Sequence, residues 1–421
     1  MILYNGKTYG TELQDELLRS LRDDIGKTIA SGIRPPLDDV ILACDTLAQR
    51  VMNGSYDDIL IPFLKEFNVS NEYFAELCYM FTREGLTYKV QTELPEITEI
   101  KTAHFTRRRC PLGVLMHIAA GNFDVLPAYS VVEGLLAGNI NILKLPMGDS
   151  GLSVRLLSDM IGICPSLAPF IYVFDVPSTE TESIKYLADL SDGVAVWGGD
   201  VAVSAARKLA SVNTKIIAWG HKLSFAYCES DCSDDDLRAL ADSICLTDQT
   251  LCSSCQGLFL DTDSDKELDS FSERFFEILK EANDRSRPVN YGMRAKNAIN
   301  LYNEDLEIDR TGSTIRKSNG MSVITRRDSE LELSYMYRNV WVKKLPLSSL
   351  HELHKHKGYL QTASVLTSDP VKRKIICDKL AGIGVVRITS AGKMSRSVPG
   401  EAHDGTYALR EYTRIVECEF D

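Results

Sequence analysis

Residues 111–146 read PLGVLMHIAAGNFDVLPAYSVVEGLLAGNINILKLP. Leu112–Ala119 is an apolar run of strand length, Pro127–Ala137 is helical in character, and Ile140–Leu145 is a second apolar run, so the stretch reads as strand, helix, strand. Working outward, apolar runs at Phe170–Phe174, Gly193–Trp197 and Lys215–Trp219 alternate with helical segments near Leu152–Ile161, Glu182–Leu190 and Val201–Ala210. Repeated βαβ of this kind implies a parallel, doubly wound sheet of the dinucleotide-binding sort, with ligands expected beyond the carboxyl ends of its strands. The glycine fingerprint G-x-G-x-x-G occurs nowhere in the chain.

Upstream, residues 11–88 carry apolar positions at helical spacing, as in Leu13, Leu17, Leu18 and Leu21. From Thr87 to Arg109 the pattern turns to alternating β-branched and charged residues, which reads as an extended arm. Downstream of Leu223 a second α/β unit is expected, with strands at Leu258–Leu260, Val340–Lys343, Thr362–Leu366 and Gly384–Ile388, and helices near Asp234–Cys245, Asp265–Ala282 and Val371–Leu380. Asn303 to Asn319 reads as irregular surface, and Tyr412–Glu419 as a last strand suited to pair with the arm. The fold class is therefore α/β: residues 1–87 and 108–222 a nucleotide-binding domain, 223–400 a second, cysteine-bearing catalytic domain, and 88–107 with 405–421 a small β arm for oligomerisation. A homo-oligomer is expected, because an exposed strand pair is an edge that needs covering.

With 421 residues, 44% hydrophobic and 25% charged, the composition is that of a globular protein large enough for more than one core. The start Met1-Ile2-Leu3-Tyr4-Asn5 has no charged-then-apolar leader, and the eleven cysteines are scattered rather than paired, so a cytoplasmic protein with reduced thiols is expected. A net charge of −12 argues against nucleic acid and anionic membrane as partners.

The stretch with most chemical content is Asp248-Gln249-Thr250-Leu251-Cys252-Ser253-Ser254-Cys255-Gln256, a small polar loop running into the apolar Gly257-Leu258-Phe259-Leu260. A thiol in such a loop has backbone N–H groups at hand, which makes Cys252 the candidate nucleophile. Asn122, after the first strand of the quoted stretch, is placed to donate to an oxyanion, and Lys144, at the end of the second, to grip a ribose or phosphate. Trp197-Gly198-Gly199-Asp200 joins a strand to a helix whose N-terminus can face a phosphate, so Trp197, Gly198 and Gly199 are further cofactor-binding candidates. The pairs Cys228/Cys232 and Cys252/Cys255 have zinc-like spacing, but the capped helix signalled by Ser233-Asp234-Asp235-Asp236 would hold them apart, and no metal is expected. His351-Glu352-Leu353-His354-Lys355-His356 reads as a solvated helical face. His403-Asp404-Gly405 reads equally as an acid/base pair or a turn.

In order and spacing, Pro111-x-Gly113-Val114, Asn122-Phe123, Ala137-Gly138-Asn139, Lys144, Gly198-Gly199, Gly220-x-Lys222 and Cys252 resemble the aldehyde dehydrogenase superfamily. Trp197-Gly198-Gly199-Asp200, Asp248-Gln249-x-x-Cys252-x-Ser254-x-Gln256 and His403-Asp404-Gly405 are similar to its LuxC-type acyl-CoA reductase branch. The resemblance implies an aldehyde dehydrogenase-like fold and reduction of a fatty acyl-CoA to the aldehyde through an acyl-Cys252 intermediate. It also implies that Asn122 and the Cys252 N–H form an oxyanion hole and that Lys144 lies at the adenosine ribose. Where aldehyde-oxidising relatives carry Glu-Leu-Gly-Gly-Lys, with its water-activating glutamate, this chain has Ala218-Trp219-Gly220-His221-Lys222. The carboxylate that follows the lysine in such relatives is missing from Lys144-Leu145-Pro146-Met147, which points to NADPH and leaves NADH open. An acyl-transferring partner protein is a second source of substrate. Two other readings stand beside this one: a reductase of acyl phosphates of the γ-glutamyl type, and an acyl carrier or transferase without hydride chemistry.

Overall fold

The computed structural model describes residues 1–66, 71–95, 99–119 and 125–419. The chain folds as two compact units, one made of Met1–Ile61, Ala75–Gly220 and Ser397–Asp421, the other of Pro62–Phe74 and His221–Arg396. Among the described residues no helix is long and apolar enough to cross a membrane.

The first unit is built on a seven-stranded sheet ordered Lys7–Tyr9, Ile2–Tyr4, Ile171–Phe174, Ile140–Lys144, Val114–Ile118, Gly193–Trp197, Lys215–Trp219. From Ile171–Phe174 onward the strands are parallel, and the strand order reverses between Val114–Ile118 and Gly193–Trp197. That reversal opens a crevice beyond the strand ends, where open α/β sheets bind their ligands. The quoted stretch forms strand Val114–Ile118, helix Leu126–Leu136 and strand Ile140–Lys144, as expected. Helix and strand approach so closely that a Cβ at Gly134 would lie 1.8 Å from Asn141 Oδ1, so only glycine fits there. The N-terminal hairpin was not legible: its strands have three residues each, and Ile2–Tyr4 extends the sheet antiparallel to Ile171–Phe174.

Buried polar side chains stitch this unit together. Asn141 Nδ2 donates to Asn139 O and Phe170 O, so its Oδ1 is left to accept from His117 Nε2 at 3.0 Å. His117 Nδ1 then accepts from Ser130 Oγ at 2.6 Å, and Ser130 Oγ in turn accepts from Trp197 Nε1 at 2.9 Å. The ring is thus a neutral tautomer with both nitrogens used. Asn139 Oδ1 accepts from Gly113 N, while its Nδ2 donates to Tyr412 O, tying the start of one strand to the C-terminal segment.

Three expectations are corrected, the third in the second unit. Residues 88–93 are not part of an arm: Arg83–Glu93 is a helix, N-capped by Thr82 Oγ1, which accepts from Gly85 N. Its buried face is Gly85, Leu86, Lys89, Val90 and Glu93, a helical period hidden because two of the five residues are charged. Lys89 Nζ meets Glu93 Oε1 at 2.5 Å and Glu133 Oε1 at 2.9 Å, and Glu93 Oε2 accepts from Leu409 N. The arm itself is the three-stranded sheet Thr413–Glu419, Phe105–Pro111, Ile100–Lys101, in which Thr413–Glu419 pairs antiparallel with Phe105–Pro111 from Thr413↔Pro111 to Glu419↔Phe105. Asn303–Asn319 is not irregular either. It contains the end of helix Tyr291–Thr311, stopped by Gly312 at φ +66°, and strand Thr314–Ser318. That helix buries little, and ion pairs such as Arg326–Glu304 and Arg310–Glu307 replace the apolar stripe that periodicity needs.

The second unit has a seven-stranded sheet ordered Thr314–Ser318, Met321–Thr325, Asn339–Lys344, Cys255–Leu260, Leu223–Cys228, Leu360–Leu366, Arg387–Thr389. Its central strands are buried on both faces. Ala226, Cys228, Leu258 and Leu260 pack beneath helices Asp234–Thr247 and Asp265–Arg285. Phe225, Tyr227, Phe259 and Trp341 pack with Leu350, Leu353 and helix Pro370–Ile383. Continuous apolar strands are the signature of such two-sided burial. Two-sided burial also holds for Leu223–Cys228, a strand the sequence reading passed over. Gly384 does not begin a strand but caps the preceding helix at φ +106°, and Arg387–Thr389 follows.

Burial holds His117 down at about 4, from an ordinary 6.5. The unfolded chain therefore binds a proton that the fold refuses, and stability is full above pH 6.5 and lost as pH falls toward 4. At about 1.4 kcal/mol per pH unit this site costs the fold about 3 kcal/mol across that window. Urea unfolding of wild type and His117→Gln at a series of pH values is expected to show a shallower acid slope in the variant.

Candidate active site

Helix Asp234–Thr247 begins at Ser233, whose Oγ accepts from Asp236 N, and it ends on two consecutive left-handed residues, Asp248 at φ +47° and Gln249 at φ +62°. Non-glycine residues hold this conformation only where surrounding contacts impose it. The contacts come from Met336, Tyr337 and Arg338, themselves at φ +57°, +50° and +68°. Tyr337 N donates to Asp248 O at 2.7 Å, and the Arg338 guanidinium, 1% exposed, donates through Nε to Asp248 Oδ1 at 2.8 Å and through Nη1 to Asn283 Oδ1. Burial pushes the Asp248 carboxyl up, against the downward pull of Arg338.

The rest of the motif closes the loop. Gln249 Nε2 donates to Cys255 O, Gln256 Nε2 returns a bond to Gln249 O, and Gln256 Oε1 accepts from Ser334. Ser254 Oγ accepts from Leu251 N and donates to Thr247 Oγ1. Ser224 Oγ donates to Cys252 O at 2.7 Å. The backbone of Cys252 is therefore tied down while its side chain stays exposed. Its neighbour Cys255 is the opposite case: the S–H donates to Gly257 O, and burial pushes the thiol up to about 12, so it is inert filling. Cys228 and Cys232 are likewise buried, and among the described residues no group of three or more His, Cys, Asp or Glu is arranged to hold a metal.

One neighbour of the thiol was not anticipated. Gln361, in strand Leu360–Leu366, donates from Nε2 to Cys252 Sγ at 3.3 Å. It stands 109 residues from the cysteine, and no sequence signal links the two.

In the first unit, Lys144 ends its strand almost fully buried, with Nζ donating to Ser178 Oγ at 3.2 Å. Burial pushes its ammonium down, opposed by Asp175. Trp197 turns its indole N–H inward to Ser130 and its ring toward Trp219, 5.5 Å away, and His403, 5.1 Å away. Trp219 Nε1 donates to the Tyr412 hydroxyl. His403 thus packs, tilted against one indole and edge-on to the other, against Trp197 and Trp219, the first of them a cofactor-binding candidate. Gly198 N donates to Trp219 O, and Gly199 caps helix Asp200–Leu209 with no side-chain acceptor and with open space where a Cβ would be. Lys144, Trp197, Gly198 and Gly199 all lie at the carboxyl ends of the parallel strands, Asn122 lies outside the described residues, and Cys252 belongs to the second unit. His351–His356 sits in the short helix Leu350–His356, whose Leu350 and Leu353 are core.

A doubly wound first unit with its strand-end crevice, together with a second α/β unit presenting an exposed thiol at the mouth of a parallel strand, defines an aldehyde dehydrogenase fold. Solved structures agree: bifunctional proline utilization A superposes with a TM-score of 0.75 at 12% identity, covering 99% of this chain and 46% of that one. Glyceraldehyde-3-phosphate dehydrogenase GapN from Methanocaldococcus jannaschii, complexed with NADP, superposes with a TM-score of 0.72 at 12% identity, covering 96% and 94%. Within that fold the chain belongs to the acyl-CoA reductase (LuxC) family, whose profile matches residues 33–415. It is 26% identical over 326 residues to the long-chain acyl-protein thioester reductase of Aliivibrio fischeri, covering 73% of this chain and 64% of the relative. To the long-chain acyl-protein thioester reductase of Vibrio harveyi it is 24% identical over 336 residues, covering 74% and 65%. The match thus spans just under two thirds of the length of these relatives.

Replacing Arg338 with Met leaves the Asp248 carboxylate buried without its partner, a change that typically costs about 3–5 kcal/mol. Urea unfolding is expected to show that loss. Asp248→Asn, which strands the Arg338 guanidinium, 1% exposed, without its counter-charge, is expected to be destabilised as well.

Proposed function

We propose that this protein reduces a fatty acyl thioester to the aldehyde with NADPH, through an acyl group carried on Cys252. The observation that supports it most is the Cys252 loop, in which the side chains of Ser224, Gln249, Ser254 and Gln256 tie the backbone while Cys252 stays exposed. The thiolate attacks the thioester carbonyl, the Cys252–acyl bond forms, and the donor's sulfur leaves with its electron pair and takes a proton from water. Acyl-CoA fits the family, and the relatives, long-chain acyl-protein thioester reductases, add an acyl protein, hence an acyl-transferring partner, as donor.

A reduced nicotinamide cofactor, when bound, supplies hydride for the acyl carbon. The first unit fits such a group: Lys144 offers a buried ammonium at a strand end, and Gly199 leaves the first turn of helix Asp200–Leu209 without a side-chain cap. Lys144 would hold a ribose or phosphate, with no carboxylate in Leu145-Pro146-Met147 to repel a 2′-phosphate. Ala218, paired with Val196 at the end of its strand, cannot take a proton from water. General-base catalysis adds about 10²–10⁴-fold to hydrolysis, so without it the thioester survives for reduction.

Incubation with acyl-CoA alone is expected to add the acyl mass to the Cys252 peptide and to release free acid only slowly, with NADPH then releasing aldehyde. Label on Cys255, label surviving Cys252→Ala, or hydrolysis as fast as reduction would overturn the reading. Acyl phosphate serves as the competing substrate.

Removing one charge-assisted contact costs about 1.5 kcal/mol, roughly tenfold in affinity. Lys144→Ala is expected to raise KM for NADPH by about that factor and for NADH by less; equal losses would contradict the cofactor preference.

A further inference from the structure

Strand Leu223–Cys228 meets an irregularity on both sides at the same level. Toward Leu360–Leu366 the register runs Leu223↔Leu360 and then Phe225↔Ala363, so Ser224 alone faces Gln361 and Thr362. Toward Cys255–Leu260 it runs Ser224↔Cys255 and then Ala226↔Leu258, so Phe225 alone faces Gln256 and Gly257. Each neighbour carries one extra residue, and such bulges re-aim side chains.

The bulge in Leu360–Leu366 delivers Gln361 to the thiol. Thr362 N donates to Ser224 Oγ at 3.1 Å, and the same hydroxyl donates to Cys252 O at 2.7 Å. One serine therefore bridges the residue after Gln361 to the backbone of Cys252, and Gln361 itself is only 6% exposed. Its amide points a donor, not the carbonyl, at Sγ across 3.3 Å.

We propose that Gln361 is a catalytic residue whose amide N–H stabilises the negative charge on Cys252 Sγ each time that charge appears. This rests on the reading of Cys252 as the acyl-accepting nucleophile. In the first step the Sγ electron pair forms the bond to the acyl carbon while the donor's carbon–sulfur bond breaks and its pair leaves on the donor sulfur. In the last step the tetrahedral oxyanion re-forms C=O, the carbon–Sγ bond breaks, its pair returns to Sγ, and aldehyde leaves. No proton is exchanged at Sγ in either step. A fixed neutral donor therefore serves both, where a base would serve neither.

The test is alkylation of Cys252 by iodoacetamide as a function of pH, followed on the Cys252 peptide by mass spectrometry with neither acyl donor nor cofactor present. Gln361→Leu removes the donor and keeps the bulk. It is expected to slow alkylation near neutral pH by about tenfold, the worth of one hydrogen bond to a charged group, to move the midpoint to higher pH, and to leave the alkaline plateau unchanged. Gln361→Glu, which sets an anion against the sulfur, is expected to be slower still. Wild-type melting behaviour shows that each variant is folded, and Gln361→Met makes the same comparison should Leu not be tolerated. Coincident profiles for wild type and the apolar variants, or a change confined to the plateau, would overturn the proposal. Because alkylation uses neither substrate, a shifted profile together with no acyl-Cys252 would sink the reductase reading and with it the catalytic role. Normal acylation with an unshifted profile would sink this proposal alone.

Discussion

Arg338 and Asp248 share a buried ion pair inside the second unit, and the Cys252 loop hangs from it. Each partner lies in a left-handed stretch of backbone that neither sequence favours alone, and the pair, with the bond from Tyr337 N to Asp248 O, holds the two stretches against each other. Desolvating two charges offsets much of their attraction, so such a pair adds little net stability while breaking it is costly. What it secures here is conformation: helix Asp234–Thr247 can stop abruptly, and the seven residues before strand Cys255–Leu260 can fold into a turn with the thiol outward.

From that anchor the motif reads as a framework. Asp248, Gln249, Ser254 and Gln256 each make hydrogen bonds within the loop or to Arg338 and Ser334. Cys252 is the member whose side chain is left exposed. The three-residue interval between it and Cys255 takes a thiol from solvent to full burial, so two nearby cysteines sit in opposite environments.

The first unit follows the same logic with neutral groups. His117, Ser130, Asn139 and Asn141 form a buried network that orients Trp197, so the indole N–H faces the core and the ring face meets Trp219 and His403 at the strand ends. A buried network of this type is worth having only when every member is paired, and here the proton positions follow from one another. The surface offered at the crevice is therefore set from inside the sheet.

The sequence by itself determined the class of fold and singled out Cys252 as the candidate nucleophile. Apolar runs alternating with helical periods in residues 111–219 are a local property, since a strand buried on both faces must be apolar throughout wherever the chain goes next. The motif around Cys252 was legible because Asp248, Gln249, Ser254 and Gln256 lie within nine positions of one another, whereas Ser224, Ser334, Tyr337 and Arg338, which complete its hydrogen bonds, come from distant parts of the chain. What only the tertiary structure decided are the features whose partners are distant. Helix Arg83–Glu93 buries Lys89 and Glu93 because Glu133 and the Leu409 N–H wait for them, and no local pattern announces a buried charge. Arg338 meets Asp248, and Gln361 meets Cys252, only after parallel strands have been brought side by side and a bulge has turned one side chain toward the thiol. Periodicity records which face of an element is apolar, but register between strands far apart in the chain is set by packing, and the contact that Gln361 makes with this thiol is a contact of register.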